Sequence, residues 1–404
     1  MELPISLVRS LDLTDPLTFA RYDPRDIWPQ ARRHAPVFWH EARDGKPGFW
    51  VVSRHRDVQA AYNDAQGLAS GRGTVLDVLL RGNDPAGGKM LAVTDRPRHR
   101  QLRRLMLRAF SPRVLGTVAA GIAERTSRLV ESFTGGGAFD FAAEVADRLP
   151  MTTICDLLSV PRADRAQLLR WNKMALSAQA PGDDGLDSLG ARNEIVLYFM
   201  DLALERRAAP GDDVISMMAT ADVEGERLTP EELALNCYSL ILGGDESSRM
   251  SSLVAVHELA GHPKQWSALR DGEVPVDTAV EEVLRWATPA MHFARTATRD
   301  LDLAGQPVAK GDIVTLWNTS ANDDETVFTD PRSFDLARTP NKHISFGHGA
   351  HFCVGAYLGR AGLRALLSSL AATVREIEPH GEPERIYSTF LFGYRTLPVA
   401  FTPR

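Results

Sequence analysis

Apolar residues recur at three- and four-residue spacing over long stretches of this chain, and that period predicts helices. It runs through "GTVAAGIAERTSRLVESF" (116–133), "NEIVLYFMDLALERRA" (193–208), "PEELALNCYSLILGG" (230–244), "SSLVAVHELAGH" (251–262) and "CVGAYLGRAGLRALLSSLAATV" (353–374). Strand-like pieces are fewer and shorter: "GFWVVS" around Trp50, the turn-rich "TRDLDLAGQPVAKGDIVTLW", and the C-terminal "LPVAFTP". The expected fold class is therefore mainly α with a smaller β-rich part. Two interruptions, the glycine-rich 69–90 and "SAQAPGDDGLDS" (177–188), are expected to be mobile surface loops of the kind that cover a binding site. No internal repeat, low-complexity tract or shift of composition marks a boundary, so residues 1–404 are expected to form one domain.

The composition of the 404 residues, 44% hydrophobic and 24% charged, suits a folded globular protein rather than a disordered or fibrous one. A net charge of -6 gives no general attraction to nucleic acid or to an anionic membrane. "MELPISLVRSLDLTDP" has acids and prolines where a leader would carry a basic start and an apolar core. No run approaches the roughly 20 apolar residues of a membrane span, and a cytoplasmic location is expected.

Three cysteines far apart do not make a disulfide framework. Cys155 and Cys237 sit in apolar helical runs and read as buried small hydrophobes. Cys353 stands in a different setting, "SFGHGAHFCVGAYLGR" (345–360), crowded with glycine and histidine. Beyond simple burial, two readings compete there. His343, His348, His351 and Cys353 are all able to ligate zinc, but a one-cysteine set lacks the paired spacing of structural zinc sites. The other reading is a haem-thiolate: C-x-x-C-H is absent, so a haem would be held by coordination and packing alone. A cysteine just before a helix meets free N–H groups and the positive end of the helix dipole, which favour a thiolate. Gly347, Gly349 and Gly355 would let the backbone turn tightly and approach a flat macrocycle.

"FGHGAHFCVG" (346–355) resembles the cysteine-ligand loop of the cytochrome P450 family, F-x-x-G-x-x-x-C-x-G. The resemblance implies that Cys353 is the axial ligand of haem b iron, that Phe346 shields the sulfur, and that Gly355 admits the following helix close to the haem. "TDRPRHRQLRR" is similar to the family's D-P-P-x-H-x-x-x-R, with Arg96 in place of the first proline. There Thr94 or Asp95 can cap a helix that has Pro97 in its first turn. By that match His99 and Arg103 contact haem propionates, as would Arg295 and His351. "EEVLRW" resembles E-x-x-R, and with Arg338 it implies an ion network of Glu282, Arg285 and Arg338 behind the cysteine loop.

"LILGGDESSRM" resembles A-G-x-(D/E)-T-T and implies Glu246 and Ser247 as the catalytic proton-handling pair, with Gly244 against the cofactor. The two glycines weaken the helix by about 1 kcal/mol each, so a helix end or a kink that opens a groove is expected there. Here Gly243 replaces alanine and both threonines are serines. Serine keeps the hydroxyl but loses the methyl group that restricts its rotamer.

Position in the family's order points to Leu240, Gly243, Gly244, Ala290, Phe293 and Phe392 as walls of a substrate pocket. Residues 71–90, 171–195 and 388–393 would complete it. These walls suit a medium to large hydrophobic organic molecule, free or tethered to a carrier protein, as in antibiotic biosynthesis. Arg98, Arg100, Arg104, Arg108 and Arg113 make a basic patch on an acidic chain. No flavin or nicotinamide domain is fused, so the resemblance implies electrons from a ferredoxin with a separate reductase, docking on that patch. The implied activity is a monooxygenase that hydroxylates or epoxidises its substrate. Two alternatives stand beside it: a related haem-thiolate enzyme that uses peroxide or couples aromatic rings without inserting oxygen, and a haem-binding sensor without turnover.

Overall fold

The computed structural model describes residues 2–176 and 186–404, so most of the interruption expected at 177–188 lies outside the described residues. Eight helices position the site: α1 (His55–Asn63), α2 (Arg98–Ala109), α3 (Pro112–Glu131), α4 (Leu149–Leu157), α5 (Leu186–Ala208), α6 (Pro230–Gly261), α7 (Val276–Ala287) and α8 (Ala356–Thr373). Beside them lies a sheet of β1 (Val37–His40), β2 (Phe49–Val52), β3 (Leu68–Ala69), β4 (His292–Ala297) and β5 (Ile313–Trp317), in the order β1-β2-β5-β4-β3. β5 runs parallel to β2, and the remaining pairs are antiparallel. A smaller sheet joins Val374–Pro379, Pro398–Pro403 and Ala138–Asp140. The molecule is mainly α with a smaller β part.

α6 is the spine. It starts at a capping box: Thr229 Oγ1 accepts from the Glu232 N–H at 3.1 Å, Glu232 Oε2 accepts from the Thr229 N–H at 2.9 Å, and Pro230 takes the first position. The two runs read separately at 230–244 and 251–262 are one helix of 32 residues, so the end expected at Gly243-Gly244 does not occur. Packing outweighs local propensity here. A Cβ on Gly244 would come within 3.1 Å of Ile154 Cδ1, so the bare Cα lets α4 close against α6. The Ser247, Ser251 and Ser252 hydroxyls donate to the carbonyls four residues back, at 2.5, 2.8 and 2.9 Å.

Two apolar cores divide along this spine. One gathers α2, α4, α5 and the start of α6 as far as Ile241; the other begins at Met250 and gathers the end of α6, α7 and much of α8. The polar turn 243–249 lies where they part.

The glycine-rich 69–90 is better tied than a mobile loop. It contains the short helix Leu76–Arg81, and Asp95 accepts from the Ser70 and Gly71 N–H groups at 2.9 and 2.8 Å. Lys89 Nζ meets Glu231 at 2.8 Å, while the Asn236 side chain binds Lys89 O and the Leu91 N–H, each at 2.9 Å. These contacts displace the expected cap of α2. Thr94 Oγ1 donates to Met90 O, Asp95 is spent on the loop, and Pro97 stands at the cap with no side-chain bond.

Candidate functional site

The loop 345–355 crosses between α1 and α8. The Cys353 N–H donates to Phe346 O at 2.9 Å and the Gly347 N–H to Ile344 O at 2.8 Å, closing a tight hairpin. Gly347 and Gly349 both adopt φ +69, and a Cβ on Gly349 would meet the Tyr62 carbonyl oxygen of α1 at 2.8 Å, so only glycine fits there. Gly355 needs no special backbone, with φ at -87; its Cβ position lies 3.8 Å from Cys353 Sγ.

Phe346 packs against Gly359 of α8, with the Arg360 guanidinium 4.7 Å from its ring centre. Arg360 in turn pairs bidentately with Glu281 at 2.6 and 2.9 Å. Burial pushes the Cys353 thiol above its ordinary range, against the Gly355 N–H, Arg103 and Arg360, which favour the thiolate.

α2 presents His99 and Arg103 four residues apart on the face turned to this loop, β4 presents Arg295, and the loop presents His351. The rings of His99 and His351 lie 4.1 Å apart. His99 is buried, its Nε2 has no hydrogen-bond partner, and its pKa falls to about 4 through burial and the Arg103 charge. His351 falls to about 2 by burial, then by the charges of Arg295, His99 and Arg103. Arg295 is 4% exposed, donates only to the Ala294 carbonyl at 2.8 Å, and stands 5.4 Å from the Tyr62 ring centre. No carboxylate among the described residues pairs with Arg103 or Arg295; Asp95, whose charge acts on Arg295, is occupied by two backbone N–H groups. A buried guanidinium, Arg295, and a half-buried one, Arg103, both without a carboxylate partner among the described residues, fit an anionic ligand. A haem, with two carboxylates at its edge and a metal that takes a thiolate, fits this donor set.

The zinc reading is not supported. His343 binds Glu281 at 3.0 Å, His348 contacts Gln59 at 3.4 Å, and His351 turns to His99. Among the described residues no group of three His, Cys, Asp or Glu converges on a common point.

Glu282 is fully buried, takes Arg285 at 2.7 and 2.8 Å and Arg338 at 3.1 and 3.2 Å, and also accepts from Asn341 Nδ2 and the Asp335 N–H. Arg285 donates on to the carbonyls of Asn322 and Pro331. Glu246 and Ser247 are neighbours, but no direct bond joins them. Ser247 Oγ is held by the Gly243 carbonyl, while Glu246 lies 3.7 Å from Arg249, which also binds Asp147. Burial raises the Glu246 carboxyl above the ordinary range.

Of the expected pocket residues, Leu240 and Phe293 are half-buried, Gly243 faces open space, and Ala290 pairs with Leu391. Two assignments change. Gly244 packs on Ile154 of α4, and Phe392 turns into the apolar core with Phe19, Trp28 and Trp317. Phe390 takes the place beside Phe293, its ring centre 5.5 Å away. Alternation in the last loop could not show this, because Phe390 and Phe392 share a side only in a regular strand and 388–392 is not one. Of the residues expected from 171–195, those at 177–185 lie outside the described residues. Arg98 leaves the basic patch to pair with Glu232 at 2.5 Å, while Arg100, Arg104, Arg108 and Arg113 are exposed. No helix among the described residues is long and apolar enough to cross a membrane.

The family profile for cytochrome P450 matches residues 275–401. Cytochrome P450 NovI of Streptomyces niveus is 41% identical over 397 residues, 98% of each chain. The methyl-branched lipid omega-hydroxylase of Mycobacterium tuberculosis is 38% identical over 324 residues, 78% of this chain and 75% of its own. The crystal structure of P450 OxyD, involved in the biosynthesis of vancomycin-type antibiotics, superposes with a TM-score of 0.88 at 34% identity. It covers 98% of this chain and 100% of its own.

Proposed function

The chain belongs to the cytochrome P450 family and is a monooxygenase by kinship; from that premise we propose that it hydroxylates or epoxidises a medium to large hydrophobic organic molecule in antibiotic biosynthesis, with electrons from a ferredoxin. The observation that carries the cofactor assignment is the set of buried and half-buried bases without carboxylate partners among the described residues, gathered around one cysteine. Cys353 would ligate the iron of a haem b, His99, Arg103, Arg295 and His351 would hold its propionates, and Phe346 would exclude water from the sulfur. When bound, a haem with a thiolate ligand supplies the activation of dioxygen.

The chain's own part is to bind, to orient and to move protons. Glu246, its carboxyl raised above the ordinary range by burial, is placed to take up and pass on protons, and Arg249 beside it also binds Asp147. Ser247, released from the Gly243 carbonyl, offers a hydroxyl to the distal side. Glu282, Arg285 and Arg338 keep the cysteine loop seated. Leu240, Gly243, Ala290, Phe293 and Phe390 give an apolar wall, and Arg104 and Arg108, exposed on α2, give the acidic ferredoxin its docking face. One domain spans residues 1–404. The relation to OxyD supports the antibiotic role, with the substrate arriving free or on a carrier protein.

The test is an optical titration of the purified protein with hydrophobic natural-product scaffolds, each offered free and tethered to a carrier protein. A haem spectrum whose Soret band shifts saturably with one scaffold class supports the assignment and identifies that class. A protein that binds no haem overturns the role of Cys353.

A further inference from the structure

Asp245 takes no part in the anion cluster or in the Glu246–Ser247 pair. It lies in the polar turn of α6, 7% exposed, and its side chain contacts Asn172 Nδ2 on the helix Arg165–Leu176. Asn172 is 1% exposed, and its Oδ1 has no partner. The charged groups facing Asp245 are Glu246 and Arg249 on its own helix and Asp147 from the turn before α4; on α4 the thiol of Cys155 is near. Arg249 is committed to Asp147, which Lys173 also approaches at 3.4 Å. An ionised Asp245 would therefore be a buried anion beside two other carboxylates, with no cation of its own.

An amide facing a carboxylate leaves its oxygen unanswered, whereas an amide facing a carboxylic acid has both of its atoms answered. The acid O–H donates to Asn172 Oδ1 while Nδ2–H donates to the acid carbonyl, and the orphaned Oδ1 is what a missing proton would leave. We propose that Asp245 carries a proton in the resting protein and closes with Asn172 a neutral acid–amide pair that fixes the helix Arg165–Leu176 against α6. Both are positioning residues of the substrate side. Burial, then the Glu246 charge, raises the Asp245 carboxyl to about 7, which agrees with this. Loss of the proton opens the pair near neutral pH and loosens the helix. Only the consequence for substrate rests on the monooxygenase reading; the pair itself does not.

The experiment compares wild type, Asp245→Asn and Asn172→Leu as full-length, haem-loaded proteins. Infrared difference spectra between wild type and Asp245→Asn read the proton directly, and hydrogen exchange of the amides in 165–176, corrected for intrinsic rate, reads the helix. A protonated-carboxyl band below neutral pH that fades as pH rises through about 7 is expected. Protection should fall in the same range in wild type, stay level in Asp245→Asn, whose amide keeps both bonds at every pH, and be low throughout in Asn172→Leu. Absence of the band, or the same pH dependence in Asp245→Asn as in wild type, overturns the proposal. Neither measurement needs turnover, so a protein that oxidises nothing would sink the functional reading and leave this one standing.

Discussion

Stripping the haem should make the protein acid-sensitive in a window that the loaded protein does not share. His99 sets that window: its pKa falls from 6.5 to about 4 because burial and then the Arg103 charge disfavour the imidazolium. The folded value is depressed, so the native state binds fewer protons than the unfolded chain. The stability that His99 contributes is complete above about 6.5 and is lost as pH falls through about 4. A shift from 6.5 to about 4 corresponds to a ceiling of about 3 kcal/mol, at 1.36 kcal/mol per unit. Relaxation and solvent screening around the ring reduce this ceiling to about 1–2 kcal/mol. Propionates beside the ring reverse the sign of its surroundings, favouring the imidazolium and raising the folded pKa. Denaturant midpoints of haem-free and haem-loaded protein, followed by far-ultraviolet circular dichroism across this window, give the difference directly. His292, also depressed, to about 3, is fully buried in the apolar core beside Trp317 and titrates alike in both forms, so it cancels. Parallel loss of stability in the two forms would refute an anion at His99. In His99→Asn the difference should shrink to the part that His351, depressed to about 2 in the same cluster, still contributes.

Glu282→Ala should cost about 3–5 kcal/mol, because it leaves Arg285 and Arg338 buried without their shared carboxylate. Thermal unfolding measures this, and a midpoint within a degree or so of wild type would remove the network from the account. Charge reversal at Arg104 and Arg108 should slow reduction by ferredoxin at low ionic strength and flatten its salt dependence, as stopped-flow reduction would show; unchanged kinetics place the docking face elsewhere. Ser247→Ala and Glu246→Gln should each lower coupled turnover by about 10²-fold or more while haem content stays level. Unaltered turnover in both would remove the proton-handling role and favour the reading of a peroxide user.

Motifs that are local in sequence were legible because their chemistry is local. The cysteine loop closes on itself through the Cys353 N–H and the Phe346 carbonyl, and its turns demand Gly347 and Gly349 whatever packs outside. His99 and Arg103 share a helix face by period alone. The errors arose where a distant partner decides. Gly243-Gly244 looks like a helix end from its own neighbourhood, yet Ile154, some ninety residues earlier in the chain, makes Gly244 the contact that keeps α6 continuous. Asp95 looked like a cap until the loop at Ser70 and Gly71 took both its oxygens. β4 reads as a functional segment because of Arg295, and only its register, with Val314 opposite Arg295 and Trp317 opposite His292, shows it to be a strand in the larger sheet. Asp245 illustrates the same limit more sharply. In sequence it is one acid of an acidic pair, and nothing local tells which carboxyl is charged. The fold separates them, giving Glu246 an arginine and Asp245 an amide. An arginine stabilises the ionised form, whereas a lone amide in an apolar setting accommodates the neutral one. Two adjacent acids thereby acquire different protonation tasks from partners that the linear pattern does not reveal.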